Sequence, residues 1–414
     1  MNGESAADSE RPSDRRGRPL NRTVRALGVV SLLADVSSEM VYPINPIFIT
    51  RVLGAPAWAL GLIEGIAEST ASLLKLYSGW LSDRAGRRKP FAVAGYALGA
   101  VGKPIIAISS AWWHVLGARF VDRVGKGLRT APRDALIAEN CDADQRGRAF
   151  GFHRSMDTVG AVMGPLIGYV LLARFLHGPQ SVTFPILYWV AFVPGLLGVA
   201  VLWLFVRERK QAPIEGRALR PSFGALSPTF RTYLAIVALF SLGNSSDTFL
   251  ILRAQQDMGV SPANVFLLYA LFNVVEASLG YPAGILSDRV GRRHLIALGW
   301  IVFAVVYAGF AGLTGPVAAF SLFVLYGFYT TLTQGLQRAM AADLSHPDRR
   351  ATEIGAFHMV VGLAALPASQ LAGILYGLNR SLPFIVGAVC AGLAALALLA
   401  TRLDTPPQPS VDCG

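Results

Sequence analysis

The sequence predicts an all-α membrane protein: twelve transmembrane helices arranged as two pseudo-symmetric six-helix bundles. Three observations carry this expectation. Of 414 residues, 53% are hydrophobic and only 15% are charged, well below the roughly 25% of a soluble domain. The apolar residues fall into runs of about 20 to 28, the length a helix needs to cross a bilayer. Finally, a ten-residue segment of the first half returns in the second half, at an offset of 205 residues. The composition excludes a disordered regulator, a collagen, a disulfide scaffold and a secreted enzyme.

Residues 1–22 are polar and Arg-rich, with acidic residues interspersed and no small-residue cleavage site after a short apolar core. They read as a disordered cytoplasmic tail and not as a cleaved signal. Six apolar segments follow at 24–51, 58–81, 90–109, 112–138, 149–173 and 184–206, making a first bundle over 23–206. The stretch 207–229 carries Pro213, Pro221 and Pro228 among charges and is a cytoplasmic linker, too short for a domain. Six more segments lie at 230–254, 263–286, 294–312, 316–342, 352–377 and 382–402, a second bundle over 230–402. Residues 403–414 form a second cytoplasmic tail. A backbone in lipid must satisfy its own polar groups, so these segments are helices.

The formal net charge is +11, from 37 Lys and Arg against 26 Asp and Glu. In a soluble protein that excess suggests nucleic acid. Here alternate loops concentrate it: Arg84, Arg87, Arg88 and Lys89; Arg146 and Arg148; Arg207, Arg209, Lys210, Arg217 and Arg220; Arg289, Arg292 and Arg293; Arg349 and Arg350. The intervening turns carry little beyond Arg51 and Arg380. This positive-inside pattern places both termini in the cytoplasm and the protein in the plasma membrane, with no nucleic acid partner. Cys141, Cys390 and Cys413 show no metal or redox spacing and read as free thiols.

GWLSDRAGRR begins at Gly79 and GILSDRVGRR at Gly284. The same offset, without gaps, sets Phe152-His153 on Phe357-His358, Arg133 on Arg338 and Glu39 on Asn244. The register marks an internal duplication. Parallel six-helix repeats of this kind enclose a central site between two rocking halves. The duplicated loop resembles the signature of the major facilitator superfamily, and the resemblance spans about residues 24–402. It implies the twelve-helix fold of that family, secondary transport and monomeric function. Gly86 and Gly291 permit a tight turn. By resemblance, Asp83, Arg84, Arg87, Asp288, Arg289 and Arg292 form a gate, with Arg133 and Arg338 at the inner ends of helices 4 and 10 as partners. Such contacts would lock the cytoplasmic side in the outward-open state. The competing reading is that the arginines only fix topology.

Helix 5 carries Gly160, Gly164, Pro165 and Gly168, small residues that let helices approach closely around a proline kink. The run is similar to the family's helix-5 signature, which is associated with antiporters, although Tyr169 stands where a glycine is often found. Plain small-residue packing is the alternative. In helix 4, Arg119, Gly125 and Gly127 match the family pattern. Arg123 replaces a frequent glycine and Pro132 is shifted by one, so the region is more cationic than in a generic drug exporter.

Arg119, Asp122, Arg123, Lys126, Arg129 and Arg133 step by three or four residues, with one step of one, and share a helical face. A net charge at bilayer depth costs about 2.5–3.5 kcal/mol per central Arg unless it meets water or partners. Acids are at hand in the same half: Asp35 and Glu39 on helix 1, Glu64 and Glu68 on helix 2, and Asp157 on helix 5. Lys75 and Lys103 lie in helices 2 and 3. An acid beside a cation can be ionised in one state and protonated in another. Glu39 and Glu68 are therefore the leading expected proton carriers, with Asp35 third. Arg119, Asp122, Arg123 and Lys126 are expected as counter-charges or anion ligands. The alternative is an ion-pair network with a purely structural role. The second half replaces Glu39 with Asn244 and Glu68 with Asn273. Asn244, Asp247, Asn273, Gln334 and Gln337 are its expected substrate contacts, or else hydrogen bonds between helices. Tyr42, Tyr77, Tyr269 and Trp80 are expected to be packing or interface residues. Pro43 and Pro46 interrupt helix 1 just past Glu39, as helices lining transport sites often are.

No GxxxxGK[ST], HExxH, CxxC or GxSxG motif is present, and the six histidines are scattered. No enzyme, cofactor or metal site is expected. His153, near Arg154 and Asp157, reads as a pH sensor or a packing residue. The expected function is proton-coupled efflux of a small organic solute, in which rocking of the two halves alternates access to a mid-membrane small-molecule substrate site and protons supply the drive. Proton-linked uptake of an anionic metabolite or metal chelate is a second reading. A transport-inactive receptor on the same scaffold is a third.

Overall fold

A computed structural model describes residues 20–142, 145–208, 226–346, 350–401 and 403. Most of both tails, the body of the linker, Arg349 and Cys413 lie outside the described residues. Within them every regular element is helical. In chain order the spans are α1 (Arg22–Val52), α2 (Ala57–Ala85), α3 (Lys89–Ala107), α4 (Trp112–Glu139), α5 (Arg146–Phe175) and α6 (Gln180–Phe205). Then come α7 (Pro228–Gln256), α8 (Pro262–Val290), α9 (Arg292–Gly312), α10 (Pro316–Asp343), α11 (Arg350–Leu378) and α12 (Leu382–Ala400). Each sequence-predicted segment falls on one of them. Ten are long and apolar enough to cross a membrane. The two that miss that standard are α2 and α4, the helices that carry Glu64, Glu68 and Lys75 and the row of helix-4 charges. Polarity, and not length, sets them apart.

Two spans are interrupted. In α1 the regular helix ends at Glu39, and the chain passes through short tight turns at Tyr42–Ile44 and Asn45–Ile47 before a wider turn at Phe48–Val52. Pro43 and Pro46 lack the N–H that would continue the ladder. In α7 the helix stops at Gly243 and resumes at Thr248. No proline marks this second break. Its Asn-Ser-Ser-Asp run bonds locally and competes with helix, with Thr248 Oγ1 donating to Ser246 Oγ at 2.8 Å. At the repeat offset the two breaks coincide.

Gly86 ends α2 with φ 60°, and Gly291 separates α8 from α9 with φ 92°. Both motif turns use positive φ, which glycine enters without strain. They mark one end of the bundle, here called the motif end. At that end Glu208, past α6, accepts from the backbone N–H groups of Arg88 and Lys89, the latter at 3.0 Å, and so caps the start of α3.

The halves meet along α2–α11 and α5–α8. A Cβ on Gly65 would stand 2.9 Å from Leu366 Cα, and one on Gly373 2.6 Å from the Ala57 carbonyl. Ser69 Oγ donates to the Gly362 carbonyl at 2.7 Å. On the opposite side Asn273 Nδ2 donates to the Ala161 carbonyl at 2.9 Å. Gly168 allows equally close approach of Met40 and Phe266. The tightest backbone approaches, at Gly65 and Gly373, lie toward the end away from the motif loops, and nearer the motif end Arg154 of α5 pairs with Glu276 of α8 at 3.6 Å. The core is uneven: nine of the twelve largest fully buried side chains belong to the second half, among them Trp300, Phe303 and Tyr307.

Close backbone approach across α2–α11 leaves no room for a side chain at Gly65. Gly65→Val is expected to cost about 1–3 kcal/mol. It should lower the melting temperature in detergent and widen the distance between spin labels near Ala57 and Gly373. An unchanged melt and distance would show that the contact is slack.

Candidate functional site

At the level of the two helix breaks lies a cavity of about 420 Å³. The first half supplies most of its wall. From α1 come Asp35, Ser38, Glu39, Tyr42 and Asn45; from α2, Glu68; from α3, Lys103; from α6, Tyr188. From α4 come Arg119, Asp122, Arg123, Lys126 and Arg129. The second half adds Asp247 of α7, Tyr269 of α8 and Gln334 of α10. Five carboxyl groups face five bases, and nine of these ten charges sit in the first half. The single face predicted for α4 is the face turned to the cavity, which is how a helix this polar can be held at bilayer depth.

Ion pairs sort the charges into two sets. Arg119 Nη2 reaches both Glu64 oxygens, at 2.7 and 2.8 Å, with Glu64 only 1% exposed. Arg123 lies 3.2 Å from Glu68 and 3.6 Å from Asp122. Arg129 covers the ring of Tyr96 at 4.3 Å, and Lys103 Nζ donates to the Gly99 carbonyl at 3.0 Å. Asp35, Glu39 and Asp247 form the other set: among the described residues none has a basic partner within ion-pair distance. Glu39 Oε2 is buried with no hydrogen-bond partner among the described residues. Asp247 accepts from the Tyr42 hydroxyl at 3.1 Å, across the two halves. Tyr42 and Tyr269 pack ring to ring at 5.1 Å.

The glycine row of α5 positions this second set. A Cβ on Gly160 would stand 2.8 Å from Asp35 Cβ, and one on Gly164 2.9 Å from Glu39 Cβ. A Cβ on Gly168, past Pro165, would stand 2.9 Å from the Met40 carbonyl. Small residues at four-residue spacing thus seat α1 against α5 at the two acidic positions.

The structure redistributes several sequence expectations. Asp35, Glu39, Glu68, Arg119, Asp122, Arg123 and Lys126 do converge on one cavity, as do Asp247 and Gln334. Asn244 instead donates to the Tyr329 hydroxyl at 3.2 Å, inside the second half. Asn273 bonds α5, as described above, and acts as a clasp between the halves. Gln337 is buried in α10, where its backbone carbonyl accepts from the Tyr233 hydroxyl at 2.9 Å. None of these three lines the cavity; the Asn244 and Asn273 amides bond neighbouring helices instead. Tyr42 and Tyr269 line it and are more than packing residues. Asn45 and Tyr188, joined by a hydrogen bond, were not singled out by sequence. Asn45 lies in the Pro43–Pro46 turn, which was the available signal.

The gating residues make local contacts in this structure. Asp83 pairs with Arg88 at 3.1 Å, and Arg88 with Glu139 at the end of α4. Arg133 pairs with the adjacent Asp134 at 2.8 Å, not with Asp83. Across the Gly86 turn, Arg88 reaches Asp83 from five residues away, so the local partner wins. Arg338 Nε donates to the Gln334 carbonyl one turn below, at 3.2 Å. Arg84 lies over the Trp80 ring at 5.4 Å, and Arg292 pairs with Asp343. The Asp288 side chain lies outside the described residues. Arg87 and Arg289 flank the turns.

Removing one member of the buried Glu64–Arg119 pair strands the other. Arg119→Met is expected to destabilise by about 3–5 kcal/mol, and Glu64→Gln combined with Arg119→Met to recover much of that loss. Thermal unfolding of the two variants in detergent measures the difference. A double variant no more stable than the single one would rule out stranded charge as the cause.

Comparison with known proteins agrees with this architecture. The profile of the Major Facilitator Superfamily matches residues 27–253 and 232–412. An uncharacterized MFS-type transporter of Methanocaldococcus jannaschii is 35% identical over 387 residues, covering 92% of this chain and 95% of the relative. The multidrug resistance protein MdtH of Photorhabdus laumondii is 25% identical, with 86% and 89% covered. Among solved structures, a POT family transporter in complex with 5-aminolevulinic acid superposes with a TM-score of 0.78 at 11% identity, covering 92% and 96%. A bacterial homologue of the human lysosomal transporter Spinster, inward-facing and occupied, superposes at 0.71 and 17% identity, covering 91% and 94%. These likenesses show the shared fold. The chain is a multi-pass membrane protein and belongs to the Major Facilitator Superfamily.

Proposed function

We propose that this transporter couples inward proton movement to export of a small organic solute through the cavity between its halves. The observation that supports this reading is the set of unpaired carboxyl groups, Asp35, Glu39 and Asp247, on the cavity wall. A carboxyl that holds no ion pair can gain and lose a proton without breaking one. Glu39 is the leading carrier and Asp35 the second. Glu68 is tied to Arg123 and exchanges its proton only if that pair opens, as a solute entering beside it would require. Lys126 has no ion-pair partner among the described residues and is the base free to meet a solute.

Similarity to the multidrug resistance protein favours efflux over uptake. The positive-inside rule puts the motif end and both termini in the cytoplasm of a plasma membrane. The balance of five acids and five bases in the cavity weighs against a polyanion or chelate as cargo. The buried acids also weigh against an inactive receptor, which would gain nothing from them. Residues of a single chain line the cavity, which supports a monomeric transporter as the working unit. In the outward-open state the motif ends close. Arg133 and Arg338 are then available to meet the Asp83 and Asp288 loops with Arg84, Arg87, Arg289 and Arg292.

Thermal-shift screening of neutral, cationic, zwitterionic and anionic solutes on the purified protein identifies a ligand. Transport of that ligand in everted vesicles should release protons stoichiometrically. Glu39→Gln and Glu68→Gln should each slow pH-gradient-driven transport at least tenfold. Wild-type rates in both variants would end the proton assignment, and co-uptake of protons would reverse the direction.

A further inference from the structure

Asp157 and His153 of α5 do not line the cavity, yet they continue its acidic row. On α1, Ser31, Asp35 and Glu39 recur every four residues and so share one face, with about 6 Å of helix rise between neighbours. On α5 the facing residues are Asp157, Gly160 and Gly164. Ser31 Oγ donates to Asp157 Oδ1, Asp35 packs on Gly160, and Glu39 packs on Gly164. One turn further toward the motif end, His153 Nδ1 lies 3.5 Å from Asp157 Oδ2. The row therefore climbs from the cavity as Glu39, Asp35, Asp157 and His153.

Its two ends share a property. Glu39 Oε2, at the cavity, and His153 Nε2, toward the motif end, are both buried and without a hydrogen-bond partner among the described residues. His153 is 4% exposed. Such open valences are costly in a packed interior. At these two places they are what a chain of proton acceptors requires, one atom to take a proton and one to give it up.

We infer that the α1–α5 seam is a proton relay from the cavity to the motif end, with Asp157 and His153 as its outer members. The inference rests on the proton coupling proposed above and adds the route. A proton leaves the Glu39 carboxyl for the Asp35 carboxylate, whose O–H bond forms as the first breaks. Asp35 passes it toward Asp157, the carboxylate that accepts from the Ser31 hydroxyl one turn along α1. Asp157 gives it to His153 Nδ1, and the resulting imidazolium releases a proton from Nε2 toward the motif end. Each carboxyl returns to its carboxylate, and nothing is oxidised or reduced. The solute keeps the cavity, so the two cargoes travel by different paths.

The charges facing the row come mainly from α4. Arg123 and Lys126, with Asp247 of α7, face Glu39. Lys126, Arg129 and Arg133 face Asp35. Arg133, Asp134 and the neighbouring Arg154 face His153. These bases lie near the carboxyls without forming ion pairs to them, so the row is electrostatically balanced but free to transfer.

The test is a pH jump on the full chain in proteoliposomes, followed by time-resolved infrared spectroscopy. The Glu39 carboxyl band is identified by its loss in Glu39→Gln. In Asp157→Asn and His153→Gln the band should reach its wild-type amplitude at least tenfold more slowly. Asp157→Glu should stay near the wild-type rate, and imidazole in the buffer should restore the rate of His153→Gly, which a merely structural histidine would not allow. Ser31→Ala keeps every carboxyl and tests the bridge if the Asp157 variant does not fold; it too should slow the band. Rates within twofold of wild type in these variants would overturn the relay while leaving the coupling intact. A wild-type protein without a Glu39 band would overturn both.

Discussion

The rest of the molecule answers to one constraint: α4 carries six ionisable residues from Arg119 to Arg133 through a region where lipid tolerates almost none. A helix of this kind can exist at depth only if its charged face meets partners and a polar cavity. Glu64 and Glu68 on α2 supply two of those partners, which is why α2 is the other span too polar to pass as a membrane helix on composition alone. The α5 glycines then bring α1 close enough for Asp35 and Glu39 to share the same balance. The second half carries no such burden. It packs aromatic side chains where the first half packs charges, and it serves as the rigid wall of the cavity.

Much of this was legible in the sequence because it rests on periodicity and position. The spans followed from run length, the α1 break from Pro43 and Pro46, the motif turns from Gly86 and Gly291, and the inward face of α4 from steps of three and four. What escaped depended on choices between near neighbours. Asp83 meets Arg88 because a glycine turn folds the chain back on itself, a matter of a few ångströms that spacing does not encode. Asn244, Asn273 and Gln337 had the same polarity as true cavity residues, and only three-dimensional packing distinguishes an amide that faces a void from one packed among helices. The α7 break lacked a proline and was hidden in an Asn-Ser-Ser-Asp run. Tyr42 and Tyr269 were masked by a general rule for aromatic residues, which describes membrane interfaces better than it describes a pseudo-symmetry axis.

The duplication also explains why the two interfaces between halves resemble each other. Gly168 against Phe266 and Gly373 against Ala57 come from helices that correspond in the two repeats, α5 with α11 and α8 with α2. Close approach by glycine is thus built twice, once on each side of the cavity. Function broke the symmetry elsewhere: Glu68 pairs with a base in the first half, while its mate Asn273 became a clasp to α5.

The hydrogen bond between Tyr42 and Asp247 has a consequence for how such a protein can arise. The two residues are repeat mates, separated by the duplication offset, and they meet where the halves face each other. In a symmetric pair of separate six-helix chains, a residue at this place confronts its own copy. Two tyrosines there would offer no carboxylate, and two aspartates would repel each other. A hydroxyl facing a carboxylate becomes possible only when the two positions can change independently. Joining the halves in one chain did more than tether them: it gave the centre of the protein two different residues where symmetry had allowed one.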